Sequence, residues 1–324
     1  MKILYATYPM AFHTPGGGEV QLLSYRKHLG ACGVNVALMD PWTPRFLDHK
    51  LVHFFSCMGG SIHFCHFIKN LGLPLIITSS LWITEDTQHL YPTDEIRDQL
   101  HLADSIVTNS EMESDALSRV LGIPRERFYA VYNGVDPLFL ERPSPDLFRQ
   151  AHGIDEPFVL NVGNIEPRKN QLELAQAMHQ FPQHRLVLIG HVRDPQYLEQ
   201  TLQAGLPGQV IYLGPLPHES DTLRSAYQAC DVFCLPSTLE TPGLAALEAA
   251  AQGRPLALTE VGSTREYFGD AAAYLQPNDP NSIASAIAQA QQQTPEQIKS
   301  LALLGSTFTW PKVVTRLQAL YEQF

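Results

Sequence analysis

The feature that most constrains this chain is a rhythm. Short β-rich runs alternate with helical patterns in two successive sets: "KILYATY" (2–8), "VNVALMD" (34–40), "LVHFFS" (51–56), "PLIITSS" (74–80), "SIVTNS" (105–110) and "YAVYNGV" (129–135), then "FVLNVG" (158–163), "RLVLIG" (185–190), "QVIYLG" (209–214), "DVFCLPS" (231–237), "PLALTE" (255–260) and "AAYLQP" (272–277). Continuous apolar runs separated by helices belong to parallel strands covered on both faces. The proline-bearing stretch "DPLFLERPSPD" (136–146) interrupts the first set, and the alternation then restarts. The expected fold is therefore α/β, with two doubly wound, Rossmann-like parallel-sheet domains facing a central cleft. The expected units are 1–145, 146–308 and an amphipathic C-terminal helix over 309–324 that returns to the first domain. A length of 324 residues agrees, because single cores stop growing near ~250 to 300 residues.

Composition narrows the function. Lys and Arg number 22 against 33 Asp and Glu, a net charge of −11. That balance disfavours a broad polyanion-binding face, so nucleic acid is not an expected partner and membrane contact is at most peripheral. No run of 18 apolar residues suggests a membrane span. The N-terminal "MKILYATYPMAF" reads as a strand rather than a signal peptide, and five cysteines without a CxxC pair suit a reducing compartment. The expected location is the cytoplasm.

Open parallel sheets bind ligands beyond the carboxyl ends of their strands, so the chemistry is sought just after strands. In "LETPGLAALEAAAQGRP" (239–255), Glu240 and Glu248 bracket a run rich in Ala and Leu. Pro242 suits a first helical turn, which puts Glu240 in the preceding loop and Glu248 about two turns inside. Amides near Thr241, Gly243 and Leu244 would be free donors for an anion. Glu248, among small alanines, matches the vicinal diol of a ribose, since a carboxylate accepts two hydrogen bonds side by side. The plain alternative makes Glu240 a partner of the helix dipole and Glu248 a solvent-facing residue.

"VGNIEPRKN" (162–170) sets Gly163 and Asn164 at a strand end, and Arg168 and Lys169 at a helix start. On an acidic protein that cation pair suggests a diphosphate, with a surface helix cap as the bland reading. "TPGGGEVQ" (14–21) follows the first strand, and Gly16 and Gly17 would let backbone approach a ligand before Glu19 opens a helix. It matches neither GxGxxG nor GxxxxGK[ST], so a dinucleotide or P-loop reading is weak and a plain turn is the alternative. His53, Cys57, His63, Cys65 and His66 cluster in "HFFSCMGGSIHFCHF", where aromatic core packing competes with a zinc reading. No DxD pair occurs, so neither metal nor cofactor is expected.

In this order the pieces resemble glycosyltransferase family 4, retaining enzymes of the GT-B fold. The resemblance runs nearly end to end, through "GGGEVQLLSYRKHLGACGVNV", "IVTNSEMESDALSRVLGIPRERFYAVYNGVDPLF", "VGNIEPRKN" and "PSTLETPGLAALEAAAQGRPLALTEVGSTREYFGDAAAYLQPNDP". It implies that Glu248 binds the ribose of a nucleotide diphosphate sugar and that Glu240 faces the transferred hexose-type sugar. The amides after Glu240 (Thr241, Gly243, Leu244) would hold sugar and phosphate. Lys169 would neutralise the leaving diphosphate, and Gly17 would approach it from the other domain. The acceptor would be a saccharide, free or lipid-linked.

Two positions depart from the family pattern. Asn164 stands where many members carry arginine, with Arg168 four residues on as a substitute charge, and Ser80 stands on the acceptor side where many carry histidine. Those departures leave two rivals: a sugar-nucleotide epimerase of the same fold and a non-catalytic sugar-nucleotide-binding protein.

Overall fold

The computed structural model describes residues 1–13 and 15–324. Two compact units emerge, Met1–Gly134 with Trp310–Phe324, and Val135–Thr309. The stretch after Gly134, including the proline-rich segment, packs with the second unit.

All twelve β-rich runs are strands. In the first unit β1 (Lys2–Thr7), β2 (Asn35–Leu38), β3 (Leu51–Phe55), β4 (Leu75–Thr78), β5 (Ser105–Thr108) and β6 (Phe128–Ala130) form a sheet of order β2-β1-β3-β4-β5-β6. In the second, β7 (Phe158–Val162), β8 (Arg185–Ile189), β9 (Val210–Tyr212), β10 (Val232–Leu235), β11 (Leu256–Thr259) and β12 (Ala273–Leu275) form a sheet of order β12-β11-β10-β7-β8-β9. Every pairing is parallel. β3, β4, β5, β10 and β11 are buried along their whole length, as strands covered by helices on both faces must be.

This strand order fixes two crevices. Each sheet grows outward from its first strand and then crosses to that strand's other side, so the direction of winding reverses between β1 and β3 and between β7 and β10. At such reversals the connecting loops diverge and leave a ligand-sized gap beyond the strand ends.

Each unit has its own core. Leu4, Val52, Phe54, Ile77 and Ile106 centre the first, and Val159, Leu186, Leu188, Val232 and Ala257 the second. The C-terminal helix Trp310–Tyr321 completes the first unit. Trp310 meets Tyr25 edge-on at 5.5 Å, and the Tyr321 hydroxyl lies 2.8 Å from that of Tyr5 and 2.5 Å from His53 Nδ1. Burial lowers the His53 pKa to about 3, which keeps the ring neutral within this network. Among the described residues no helix is long and apolar enough to cross a membrane.

Candidate functional site

The second unit assembles most of the expected residues at its β7/β10 crevice. After β7 the chain runs through Gly163 and Asn164 to a short 3-10 turn, Pro167–Lys169. After β10 it runs to Glu240, and the two loops are tied together: the Thr238 amide donates to the Arg168 carbonyl at 2.9 Å and Arg168 Nη1 to the Leu239 carbonyl at 3.3 Å. Below them, Asn161 Nδ2 donates to the Cys234 carbonyl at 2.8 Å, linking β7 to β10 where both end.

Lys169 and Glu240 meet in an ion pair within that frame. The stem of Lys169 crosses Gly163, where a Cβ would lie 3.7 Å from Lys169 Cε. Their side chains are 14% and 7% exposed, so the pair is largely withdrawn from water. Burial by itself would raise the Glu240 pKa, but the charges of Lys169 and Arg168 outweigh it and hold the carboxyl below its ordinary value. Desolvating two ions costs several kcal/mol, which their attraction often only offsets, so stability alone gives little reason for burying them. A poised cation and a fixed carboxylate are what a charged, hydroxylated ligand needs.

Glycines bring the surrounding backbone close. Glu240 sits under Gly262, where φ is +105° and a Cβ would come within 2.0 Å of the Glu240 carbonyl oxygen. Gly243, at φ +86°, lies against the carboxylate; a Cβ there would stand 2.6 Å from Leu235 Cδ2 and 3.3 Å from Glu240 Oε2. The helix Leu244–Ala251 starts at once, and its first bonds run from the Ala246 and Leu247 amides back to the Gly243 carbonyl. The Leu244 and Ala245 amides therefore precede the helical ladder beside Glu240. This corrects the expectation for Pro242, which lies outside the helix because Gly243 is its N-cap.

Glu248 is buried at 6% exposure rather than facing solvent. Tyr227 donates to its Oε2 at 2.7 Å, and His218 Nε2 lies 2.8 Å from its Oε1. The Glu248 hydrogen bond raises the His218 pKa against the opposing effect of burial, with help from the charges of Glu248, Asp136 and Glu219. Neither partner was legible beforehand. Tyr227 is 21 residues away on the helix Asp221–Ala229, and His218 is 30 away in the loop before it.

The cation beside Asn164 was also missed. With the Asn164 amide oriented to face it, the carbonyl oxygen accepts from Arg193 Nε and Nη2, both at 3.1 Å. Arg193 Nη1 also reaches Glu166 Oε2 at 3.1 Å. Arg168, about half exposed, gives its Nη2 to Glu166 Oε1 at 3.1 Å. The guanidinium nearest Asn164 thus comes from the loop after β8, a non-local placement with no sequence signature.

In the first unit the helix Gly17–Ala31 begins two residues earlier than expected, with Gly16 as N-cap and the Gly16 amide donating to Glu19 Oε2 at 2.7 Å. Gly17 is therefore its first residue. Ser80 follows β4 with φ +44°, its Oγ within 3.3 Å of Gln21 Oε1 and 3.4 Å of Asn109 Nδ2. The His/Cys cluster separates: His53 lies inside the sheet against Tyr321 and Thr78, Cys57 and Cys65 are buried, and His63 and His66 ride on the helix Ile62–Asn70. Among the described residues no group of three His, Cys, Asp or Glu side chains could hold a metal ion.

The crevice lies in a segment that is similar to a known family. Residues 145–301 match the family described as Glycosyl transferases group 1. That group 1 segment contains Lys169, Glu240 and Glu248. The chain is 28% identical to the D-inositol 3-phosphate glycosyltransferase of Mycolicibacterium smegmatis over 68% of its own length and 53% of the relative's. It spans about half the length of such curated relatives. Among solved structures, sucrose-phosphate synthase from Thermosynechococcus elongatus superposes with a TM-score of 0.81 at 21% identity, covering 100% of this chain and 99% of that one. Anabaena HepE in complex with UDP-glucose gives 0.79 at 20%, covering 100% of both. The fold is GT-B.

Proposed function

We propose that this chain is a retaining glycosyltransferase that moves a hexose-type sugar from a nucleotide diphosphate sugar to a hydroxyl acceptor, a saccharide or lipid-linked saccharide. The observation that carries the reading is the pairing of Lys169 with Glu240 at the β7/β10 crevice, with Glu248 anchored on the following helix inside the group 1 segment. UDP-glucose bound to HepE, a protein of the same fold, supports a nucleotide-sugar donor. Five free thiols, four of them buried, suit a cytoplasmic setting.

Each residue then has one task. A carboxylate offers roughly four acceptor sites. His218 and Tyr227 use one on each Glu248 oxygen, so capacity remains for the two hydroxyls of a ribose. Glu240, kept ionised, accepts hydroxyls of the transferred sugar. The Leu244 and Ala245 amides meet sugar and phosphate. Lys169 turns from Glu240 to the diphosphate as the bond between the anomeric carbon and the phosphate oxygen breaks. The acceptor oxygen bonds to the anomeric carbon on the face the diphosphate leaves, and its proton passes to the departing phosphate oxygen, so configuration is retained. The barrier falls mainly because fixed charge meets developing charge.

The test is transfer from a panel of nucleotide sugars to neutral saccharides, with the anomeric configuration of the product read by proton NMR. Retention is expected, and activity is expected to persist in EDTA because Lys169 neutralises the leaving group. An inverted product, or donor isomerised without acceptor, would overturn the proposal.

A further inference from the structure

The first unit holds a second crevice, at the β1/β3 reversal, and a cavity of about 160 Å³ opens there. An engineered cavity of about 150 Å³ holds one benzene ring, so this one suits a single six-membered ring. Thr7 at the end of β1 and Tyr8 just after it line the cavity, with Ser56 after β3, Ser80 after β4, and Gly18 and Glu19 from the helix Gly17–Ala31. Leu22, Met58 and Leu81 supply apolar surface. A lining of both hydroxyls and carbon matches a sugar ring, which presents both.

The charge around the cavity is one-sided. None of the lining residues is Lys, Arg or His, while Glu19 contributes a carboxylate. A second carboxylate lies one layer behind the wall: buried Glu113 accepts from Ser79 Oγ at 2.7 Å and from the Leu81 amide at 3.1 Å, and both residues line the cavity. The dipole of the Gly17–Ala31 helix is already met by Glu19, which takes the Gly16 amide. Ser80 is held by neutral amides, since Gln21 Nε2 donates onward to Asn109 Oδ1 at 2.6 Å and Asn133 Oδ1 at 2.7 Å. Within this lining a phosphate would meet the Glu19 carboxylate, with Glu113 behind the wall, and no cationic side chain.

We infer that this cavity is a subsite for an uncharged sugar ring of the acceptor and that it discriminates against phosphorylated sugars. The inference deepens the transfer reading and rests on it. Two of the four non-glycine residues with positive φ among the described residues, Ser56 at 150° and Ser80 at 44°, lie in this wall, and strain of that kind concentrates at ligand sites.

Saturation-transfer NMR tests it with methyl glucoside and methyl mannoside against glucose 6-phosphate and mannose 6-phosphate, with and without uridine diphosphate. The neutral glycosides should bind at least tenfold more tightly than the phosphates. Glu19→Gln and, at the partly exposed rim, Met58→Lys should each narrow that ratio. Phosphates binding as well as neutral sugars, or neither class binding, would overturn the subsite. A separate thermal-shift titration with uridine diphosphate reads the second unit. Loss of that shift with the sugar preference intact would defeat the transfer reading and not the subsite's charge preference.

Discussion

Lys169 and Glu240, 71 residues apart in sequence, form a largely buried ion pair beyond the ends of adjacent strands. The pair unites two sequence motifs, one after β7 and one after β10, in a single charge relationship. Removing either partner leaves a buried charge uncompensated, a change that costs about 3 to 5 kcal/mol where both ions are fully withdrawn. Lys169→Ala should therefore lower stability, and Lys169→Ala with Glu240→Gln should regain part of it, as read by urea denaturation. If Lys169 meets the leaving diphosphate, the double variant should not regain turnover. Single-turnover transfer at saturating donor should fall by about 10² or more in both variants.

Glu248 should control nucleotide affinity rather than the chemical step. Hydrogen bonds to a charged group contribute about 1.5 to 3 kcal/mol each, so Glu248→Ala should weaken nucleoside diphosphate and donor alike by at least tenfold. A 2′,3′-dideoxy nucleotide should bind wild type and variant equally. Isothermal titration with both nucleotides checks this, and unchanged affinity would remove Glu248 from the ribose site.

His218 sets a pH dependence of stability. Its pKa is raised in the folded protein, chiefly by the Glu248 hydrogen bond. The unfolded chain releases that proton near the ordinary histidine value of about 6.5, so the stabilisation is fully present below that pH and is lost as pH rises through the higher folded value. The melting temperature of the ligand-free protein should fall across this window, and His218→Gln should flatten the decline. Asp136 and Glu219 act on the same ring and are left in place by that substitution.

Gly262 should tolerate no side chain. A Cβ would approach the Glu240 carbonyl oxygen to 2.0 Å at a φ of +105°, so Gly262→Ala combines a clash with backbone strain. Strain of that kind alone costs on the order of 1 to 3 kcal/mol. Denaturation should show at least that loss, with reduced transfer as Glu240 shifts. Gly214→Ala, also at positive φ but with nothing within 4 Å of the added Cβ, gives the comparison for strain without a clash.

The sequence by itself determined the architecture. Apolar runs of strand length, separated by helical patterns, admit only parallel strands with covered faces, and all twelve became strands, eleven with ends within two residues of the run and the sixth stopping at Ala130, five residues short of it. It also marked Lys169 and Glu240, because cations and carboxylates just after strands lie where open sheets bind ligands, and Glu248 as a carboxylate among the small alanines of the helix that follows. Local chemistry misjudged the helix starts: Gly243 rather than Pro242 precedes the helix after Glu240, since a glycine at φ +86° lets the chain turn against the carboxylate. Only the tertiary structure decided the partners. Tyr227 and His218 on Glu248, Arg193 beside Asn164, and Glu113 behind the first-unit cavity come from elements separated in sequence by one or more turns of the fold. Strand order and loop path bring them together, and a hydrogen bond between side chains so far apart leaves no periodic or local pattern along the chain.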